Sequence, residues 1–320
     1  MGAGRDKTAA MLLAMGGPDS LRAIPDYLYN IFSDRELIRL PGGPLMQKPF
    51  ARLISRLRAG KVRRHYDLIG GSSPLLKWTR AQADNVEREL SEQHEGFSCY
   101  VAMRYYHPSI AETAASIQND GFTRIVVVPM YPQFSIATTG SGFRELARRL
   151  KGRDGITCDL VKDFHRDPEY VALLRDYIDR HTDQDDILLF TAHSLPHRFV
   201  DEGDPYVDQV KTSSALAADG REYYVSFQSR TGPVKWVGPD TIDETRRLLE
   251  TTERRICLVP IAFVCDHIET LYELDIELPQ LFEPSIRDRL YRLPMFNDDP
   301  AFGRVLARIV RERIAGHVGA

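Results

Sequence analysis

The stretch DILLFTAHS, residues 186–194, decides the fold of this chain. Its apolar residues run without interruption from Ile187 to Phe190, and a polar turn follows within a few residues. A continuous run of this kind, which lacks the alternation of a half-buried strand, is typical of a parallel strand covered on both faces. The stretch therefore predicts a buried strand in an α/β sheet.

Similar apolar runs recur along the chain, and segments with helical periodicity lie between them. The other runs span residues 9–15, 98–106, 124–132, 155–164, 223–229 and 254–264. The helical segments span residues 49–60, 79–93, 110–121, 142–152, 168–181 and 240–252. This alternation predicts an α/β protein of two similar Rossmann-like domains, each a parallel sheet flanked by helices, with a ligand cleft between them. We place the domains at residues 1–160 and 161–320, and the last helical pattern can pack on either.

The composition excludes several classes of protein. The chain has 320 residues, 43% of them hydrophobic, and a net charge of −3, which argues against a disordered protein and against a general nucleic-acid binder. Its cysteines are widely spaced, which fits neither a zinc framework nor a disulfide scaffold; they are Cys99, Cys158, Cys257 and Cys265. No window reaches the roughly 18 apolar residues of a membrane span. We expect a cytoplasmic protein with reduced thiols.

His193 is the first candidate for chemistry. It directly follows the apolar run 187–190 and Thr-Ala, at the predicted carboxyl end of a strand, where ligands bind in open α/β sheets. An imidazole that titrates near neutrality suits a base or a metal ligand. The alternative is a histidine that only makes local hydrogen bonds. The run 254–264 repeats this arrangement, because Asp266, His267 and Glu269 follow it.

A row of carboxylates continues from there. Read as an α-helix, the segment places Glu269, Glu273 and Glu277 four residues apart on one face, with Asp266 close by, and residues 256–286 contain no Lys or Arg. Like charges at this spacing destabilise a helix, and the helix dipole favours acids only in the first turn. The row is therefore either an exposed acidic face or a path for cations or protons.

The first half of the chain carries the opposite charge. Residues 37–66 contain no Asp or Glu and several Arg and Lys, which suits a ligand with carboxylates because Arg binds these bidentately. Neither GGSSP nor MGGP matches a phosphate-binding loop. Apolar residues at positions 40–50 indicate a lip that touches an anionic membrane surface or covers an apolar cleft.

Together the motifs resemble the ferrochelatase family, which inserts ferrous iron into a porphyrin in the last step of protoheme synthesis. The matching motifs are LLAMGGPDSL, IFSDRELIRLP, Tyr66 with IGGSSPL, VAMRYYHP, VPMYPQFSIATTGS, FTAHSLP, GDPY, VSFQSRTGP with KWVGPDT, and PIAFVCDHIETLYELDIE. They occur in family order over nearly the whole chain. The resemblance implies a chelatase-like fold with a porphyrin cleft between the domains.

The resemblance also implies roles for individual residues. His193 and Glu269 match the family's catalytic pair, which faces the porphyrin centre and is assigned to iron binding or pyrrole deprotonation, and we leave both roles open. Glu273 and Glu277 match an acidic row leading from that site, and with Asp266 they form the implied proton or metal path. The implied porphyrin contacts are Met15, Arg58, Tyr66, Ser73, Arg104, Tyr105, Gln228 and Trp236.

Met15 bears on the substrate, because the branch of the family acting on coproporphyrin typically has a Tyr there. We therefore expect Fe(II) and protoporphyrin IX as substrates and heme as product. The alternatives are a coproporphyrin III ferrochelatase, a cobalt or nickel tetrapyrrole chelatase, and a non-catalytic heme or porphyrin carrier. We expect no permanently bound cofactor and no [2Fe–2S] cluster, since no Cys follows Cys265 and Ile136 occupies one ligand position of relatives with a cluster. No nucleic-acid partner is expected, and peripheral contact of residues 40–50 with the inner face of a membrane is one of the two interpretations of that lip.

Overall fold

The computed structural model describes residues 7–92, 96–152 and 155–316. The chain divides into two compact units. The first contains the residues up to Met130, Ala137–Lys162, and the residues from Asn297 onward, and the second contains Tyr131–Ile136 and Asp163–Phe296. The main change of unit, after Lys162, falls close to the boundary placed at residue 160. The sequence did not indicate that the short segment Tyr131–Ile136 belongs to the second unit.

The first unit is built on a parallel sheet of four strands. These are β1 (Thr8–Ala14), β2 (Ser98–Met103), β3 (Arg124–Pro129) and β4 (Thr157–Leu160), in the order β2-β1-β3-β4. Its helices up to residue 150 are α1 (Ile24–Ser33), α2 (Gly43–Leu68), α3 (Leu75–Ser91), α4 (Ile110–Asn119) and α5 (Ser141–Leu150). A short π-helix, Ile136–Gly140, directly precedes α5.

The second unit repeats this plan. Its strands are β5 (Ile187–His193), β6 (Tyr223–Gln228), β7 (Ile256–Pro260) and β8 (Leu290–Arg292), all parallel, in the order β6-β5-β7-β8. Its helices are α6 (Pro168–His181), α7 (His197–Asp201), α8 (Tyr206–Ala218), α9 (Thr241–Thr251), α10 (Pro284–Arg287), the π-helix Glu269–Glu277 and the 3₁₀ turn Pro279–Leu281. The seven predicted runs all contain strands, which confirms the α/β fold class. Strand β8 was missed because it has only three residues.

Burial explains why the apolar runs became strands. From Ile187 to Ala192, no residue of β5 is more than 2% exposed, and β7 is buried along its length. Side chains on both faces of these strands are therefore removed from water, which is the main favourable contribution to folding. The strand order places β5 between β6 and β7, so the carboxyl ends of these three strands meet at one edge of the sheet. This change of direction in strand order is where α/β sheets bind ligands.

The last helix, α11 (Pro300–Gly316), belongs to the first unit. It lies so close to α3 that a Cβ at Gly303 would come within 2.4 Å of the Asn85 Cβ. The side chain of Gln82 donates a hydrogen bond to the carbonyl of Asn297 (2.8 Å), just before the helix. These contacts decide between the two packings that the sequence left open.

The length and apolar character of the helices bear on whether one of them can cross a membrane. Among the residues that the structure describes, none of the helices has both the length and the apolar character required to cross a membrane.

Candidate active site

His193 is the last residue of β5, and its neighbour in the register of β6 is Gln228. Its Nδ1 lies 2.6 Å from the carbonyl oxygen of Ser194. Because a carbonyl only accepts hydrogen bonds, Nδ1 carries the proton in this arrangement, and Nε2 is the atom available for chemistry. The side chain is 40% exposed, so the ring is accessible to a ligand.

Glu269 opens the π-helix and lies between two imidazoles. Its Oε1 is 3.8 Å from His193 Nε2, and its Oε2 is 3.5 Å from His267 Nε2. His267 Nδ1 faces the carbonyl of Cys265 at 3.2 Å, so both rings turn Nε2 toward the carboxylate. Both separations exceed a direct hydrogen bond. His267 was not among the predicted site residues, although its place two residues before Glu269 was a usable signal.

The charges of this cluster shift the pKa values in opposite directions. Burial lowers the pKa of His193, but the carboxylate of Glu269, the Ser194 carbonyl and Glu273 together raise it above its usual value. Burial raises the pKa of Glu269, but His193 and His267 outweigh this and lower it below its usual value. The ionised carboxylate therefore makes the neutral imidazole a stronger base and stabilises the imidazolium that forms when Nε2 accepts a proton.

Glu273 has a different environment. Its Oε2 accepts hydrogen bonds from Gln228 Nε2 (3.0 Å) and from the hydroxyl of Ser229. Burial, followed by repulsion from Glu269, raises the pKa of Glu273 to about 7, although both hydrogen bonds oppose the rise. Ser229 has a φ of +64°, an unusual value for a residue with a side chain, and such conformations concentrate at functional sites.

The acidic row lies on a π-helix and not on the α-helix that the sequence predicts. Residues Glu269–Glu277 form a π-helix, in which the Leu278 N–H bonds to the Glu273 carbonyl, five residues earlier, at 2.9 Å. The wider turn means that side chains four residues apart do not lie directly above one another. Glu277 has its own partner, because the hydroxyl of Tyr272 lies 3.4 Å from its Oε1.

Asp266 is held by contacts away from the two imidazoles. It accepts a hydrogen bond from Thr270 Oγ1 (3.0 Å) and forms an ion pair with Arg292 Nη2 (3.1 Å). Arg292 also pairs with Asp275 (2.7 Å). A cation does balance these two acids, and it comes from β8, outside the segment that contains no Lys or Arg.

Tyr206 is a buried neighbour of the site that the sequence analysis missed. It begins α8, and the backbone of His193 and the carboxylates of Glu269 and Asp204 act on its phenol. Burial, the carboxylate of Glu269 and that of Asp204 raise its pKa well above the usual range. The phenol therefore stays neutral. Only its place in the GDPY motif marked it in the sequence.

Several predicted porphyrin contacts lie together in the first unit. The backbone of Tyr105 donates a hydrogen bond to the Met15 carbonyl (2.9 Å), which joins the ends of β1 and β2. Asp34 Oδ2 accepts from Arg104 Nη2 (2.6 Å) and from the Tyr105 hydroxyl (2.8 Å). Tyr105 is only 4% exposed. The structure therefore gives the polar groups of Arg104 and Tyr105 a protein partner.

The remaining predicted contacts have varied surroundings. Tyr66 is buried, and a Cβ on Gly17 would approach Ser73 Oγ to 2.4 Å, so Gly17 allows the MGGP and GSSP motifs to pack together. The guanidinium of Arg58 lies 5.7 Å from the ring of Phe32. In the second unit, Trp236 pairs in an antiparallel bridge with Pro196, three residues after His193.

Within residues 7–92, 96–152 and 155–316, no group of three or more His, Cys, Asp or Glu side chains is arranged to hold a metal ion. The absence of a permanent cofactor and of an iron–sulfur cluster stays a prediction.

Two solved structures have a fold similar to that of this chain. SirB from Bacillus subtilis, solved with Fe3+, has a TM-score of 0.59 and 13% identity over 98% of each chain. CbiX, described as the terminal enzyme of siroheme biosynthesis in denitrifying bacteria, has a TM-score of 0.51 and 14% identity, covering 95% of this chain and 98% of the other. The chain therefore has the chelatase-like fold that its motifs implied, with two Rossmann-like units each built on a parallel sheet.

Relatives found by sequence similarity identify the family of this chain. The ferrochelatase family model matches residues 7–314. The ferrochelatase of Geobacter metallireducens is 42% identical over 318 residues, covering 96% of this chain and 98% of that protein. That of a Picosynechococcus species is 40% identical over 321 residues, covering 96% and 83%. The chain belongs to the ferrochelatase family, as its motifs predicted.

Proposed function

We propose that this protein inserts Fe(II) into protoporphyrin IX, releases two protons and forms protoheme. The observation that carries the proposal is the arrangement of His193, Glu269 and His267, with Glu273 beside them, at the carboxyl edge of the second sheet. Membership of the ferrochelatase family supports iron and a porphyrin as substrates. Met15, the residue that directly follows β1, supports the protoporphyrin branch.

The opposite pKa shifts suggest a division of roles within the pair. A free-base porphyrin resists metal insertion because its pyrrole N–H groups occupy the centre. His193 Nε2, whose basicity the nearby carboxylates increase, takes a pyrrole proton in the proposed reaction. Glu269 stays ionised because of its lowered pKa, so it attracts the incoming Fe(II) while stabilising the imidazolium. Binding energy from the macrocycle is used to distort it toward the reactive geometry.

Glu273 is proposed as the next proton acceptor. A carboxyl group with a pKa of about 7 both takes up and releases protons at neutral pH. Glu277 and Asp266 stay proposed members of the path, with Glu277 the better supported because Asp266 is paired with Arg292. The proposed porphyrin contacts are Met15, Arg58, Tyr66, Ser73, Arg104, Tyr105, Gln228 and Trp236.

An anaerobic insertion assay tests the function and the substrate together. Purified protein is given Fe(II) with either protoporphyrin IX or coproporphyrin III, and metalloporphyrin formation is followed by absorbance. We expect the higher kcat/KM with protoporphyrin IX. A strong preference for coproporphyrin III would overturn the interpretation of Met15. Insertion only of Co(II) or Ni(II) into sirohydrochlorin would identify a different chelatase, and binding without insertion would identify a carrier.

Replacing Glu273 by glutamine is expected to change the pH dependence of both activity and stability. In the wild type, kcat should rise with pH through about 7 as Glu273 ionises, and Glu273→Gln should remove this limb and lower kcat at pH 8. The stability of the folded protein changes with pH in the opposite direction to kcat. A folded-state pKa raised above the unfolded value stabilises the protein fully at low pH, and this contribution is lost as pH rises through about 7.

The measurements are kcat between pH 5.5 and 8.5 and unfolding at pH 5 and 8. Glu273→Gln should be the more stable protein at pH 8, by up to about 3 kcal/mol, and the stability advantage should shrink toward pH 5. Glu250→Gln, a change at an exposed position of α9, serves as the control. An unchanged pH profile would reduce Glu273 to a structural residue.

Helix α2 supports the proposed peripheral contact with a membrane through residues 40–50. Leu45 is 91% exposed and Met46 is 41% exposed, and Leu53 and Leu57 further along the helix are exposed as well. Basic residues of the same helix suit anionic headgroups. Sedimentation with vesicles containing anionic lipid tests the contact; binding that Leu45→Ser leaves unchanged would contradict it.

A further inference from the structure

A chain of buried hydroxyl groups lies beneath the candidate active site. Thr191 Oγ1 in β5 donates a hydrogen bond to Gln228 Oε1 at 2.9 Å and lies 3.0 Å from Thr241 Oγ1, at the start of α9. Thr241 Oγ1 is in turn 3.0 Å from Ser226 Oγ in β6. Thr191 and Ser226 are fully buried, Thr241 is 2% exposed and Gln228 is 5% exposed. These buried hydroxyl groups therefore connect β5, β6 and α9 through hydrogen bonds that solvent does not reach.

The side-chain amide of Gln228 links these hydroxyl groups to the π-helix Glu269–Glu277. Its Nε2 donates to the backbone carbonyl of Glu269 at 2.9 Å and to Glu273 Oε2 at 3.0 Å. One side-chain amide thus holds the backbone of the residue that faces His193 and the carboxyl group of the next acid. Gln228 was predicted to contact porphyrin, but its polar atoms are bound to protein groups in this structure.

The direction of every hydrogen bond in the chain follows from one atom. The Glu269 carbonyl can only accept, so the Gln228 amide must turn Nε2 toward it and Oε1 toward Thr191. Thr191 has a single hydroxyl proton, which is used for Oε1, so Thr191 must accept from Thr241. By the same reasoning Thr241 accepts from Ser226 at 3.0 Å, and the longer contact of Ser226 Oγ with the Phe190 carbonyl, at 3.4 Å, competes for the same hydroxyl proton. A reversed amide would place two oxygens against each other at Glu269.

We propose that Thr191 and Thr241 are positioning residues for the metal-insertion reaction. They hold the Gln228 amide in the one orientation that bonds Glu269 and Glu273, and they touch neither porphyrin nor iron. Without the Thr191 hydroxyl, Oε1 of Gln228 is buried without a donor, so the amide is anchored only through Nε2 and is held less firmly against Glu269 and Glu273. The proposal rests on the proposed function, because it assigns a role in that reaction.

The test compares two substitutions of the same residue. Thr191→Val keeps the shape of threonine and removes the hydroxyl, whereas Thr191→Ser keeps the hydroxyl and removes the methyl group. We expect Thr191→Val to lower kcat for iron insertion by roughly tenfold or more, since small displacements of catalytic groups have effects of this size. The porphyrin Kd, measured by fluorescence quenching, should change by less than about twofold. Thr191→Ser should recover most of the lost kcat.

Thr245→Val in α9 is the matched control. Thr245 is fully buried in the same unit, and its hydroxyl makes no hydrogen bond with any residue that the structure describes. This substitution should leave kcat and Kd unchanged. Thr241→Val is the second test variant and should also lower kcat if Thr191→Val does not fold. Equal kcat in Thr191→Val and wild type, or an equal loss in Thr191→Val and Thr191→Ser, would overturn the proposal.

A measurement that does not depend on activity separates this proposal from the proposed function. The side-chain NH2 protons of Gln228 should exchange slowly with solvent in the wild type and at least tenfold faster in Thr191→Val, by NMR. Faster exchange in a protein that inserts no iron would retain the orienting role and reject the function. Unchanged exchange in an active protein would reject the orienting role alone.

Discussion

Replacing His193 by alanine is expected to lower kcat for iron insertion by about 10²–10⁴-fold, the range that a positioned proton acceptor contributes. Nδ1 of His193 is committed to the Ser194 carbonyl, and Nε2 is directed at Glu269, 3.8 Å away. Alanine removes both the acceptor and the positive charge that keeps the pKa of Glu269 low. Porphyrin should still bind, because the apolar surface of the macrocycle is unaffected. Anaerobic kinetics and fluorescence titration measure the two quantities separately.

The control for this variant is His181→Ala. His181 ends α6 in the same unit, and its Nδ1 bonds to the Tyr177 carbonyl at 2.8 Å, so the substitution removes an imidazole away from the site. Its kcat should stay close to that of the wild type. Turnover by His193→Ala within threefold of the wild type would reject the catalytic role of His193.

The replacement of Glu269 by glutamine is expected to have an effect of similar size, about 10²-fold or more on kcat. The change preserves the shape of the side chain and removes its charge. Without that charge, the effect of burial on His193 is opposed only by the Ser194 carbonyl and Glu273, so the pKa of the imidazole should fall. A weaker base then accepts the pyrrole proton, and the ionised ligand for Fe(II) is lost.

Two measurements distinguish these consequences. NMR titration of His193 should show a lower pKa in Glu269→Gln, and the apparent KM for Fe(II) should rise. Glu250→Gln again provides a carboxylate-to-amide change on the surface of the same unit. A variant with normal kcat and an unshifted His193 would show that Glu269 does not act on the imidazole.

The strands and the positions of His193 and Glu269 at their carboxyl ends were predictable because their signals are local. A buried parallel strand needs apolar residues in sequence, and its carboxyl end is marked by the first polar residue, so the stretch 187–194 predicted both β5 and the place of His193. Glu269 follows β7 in the same way. The short β8, by contrast, is specified by pairing with β7 rather than by its own three residues.

The other features depend on residues distant in the sequence. No composition distinguishes a π-helix from an α-helix, because they differ in which carbonyl each N–H contacts. The Gln228 amide, 41 residues before Glu269, contacts that segment from another strand. Arg292 balances Asp266 from β8, and Tyr206 in α8 lies near the backbone of His193. Sequence spacing gives no access to such pairs.

The assignment of α11 to the first unit has a consequence for biosynthesis on the ribosome. Both the early strands and the final helix belong to that unit, whereas the second unit ends at Phe296. The polypeptide that emerges later can thus complete its own core first, while α3 waits for the helix that covers it, α11. We expect a chain that ends at residue 296 and has been released from the ribosome to hold a protease-resistant second unit and an incomplete first one.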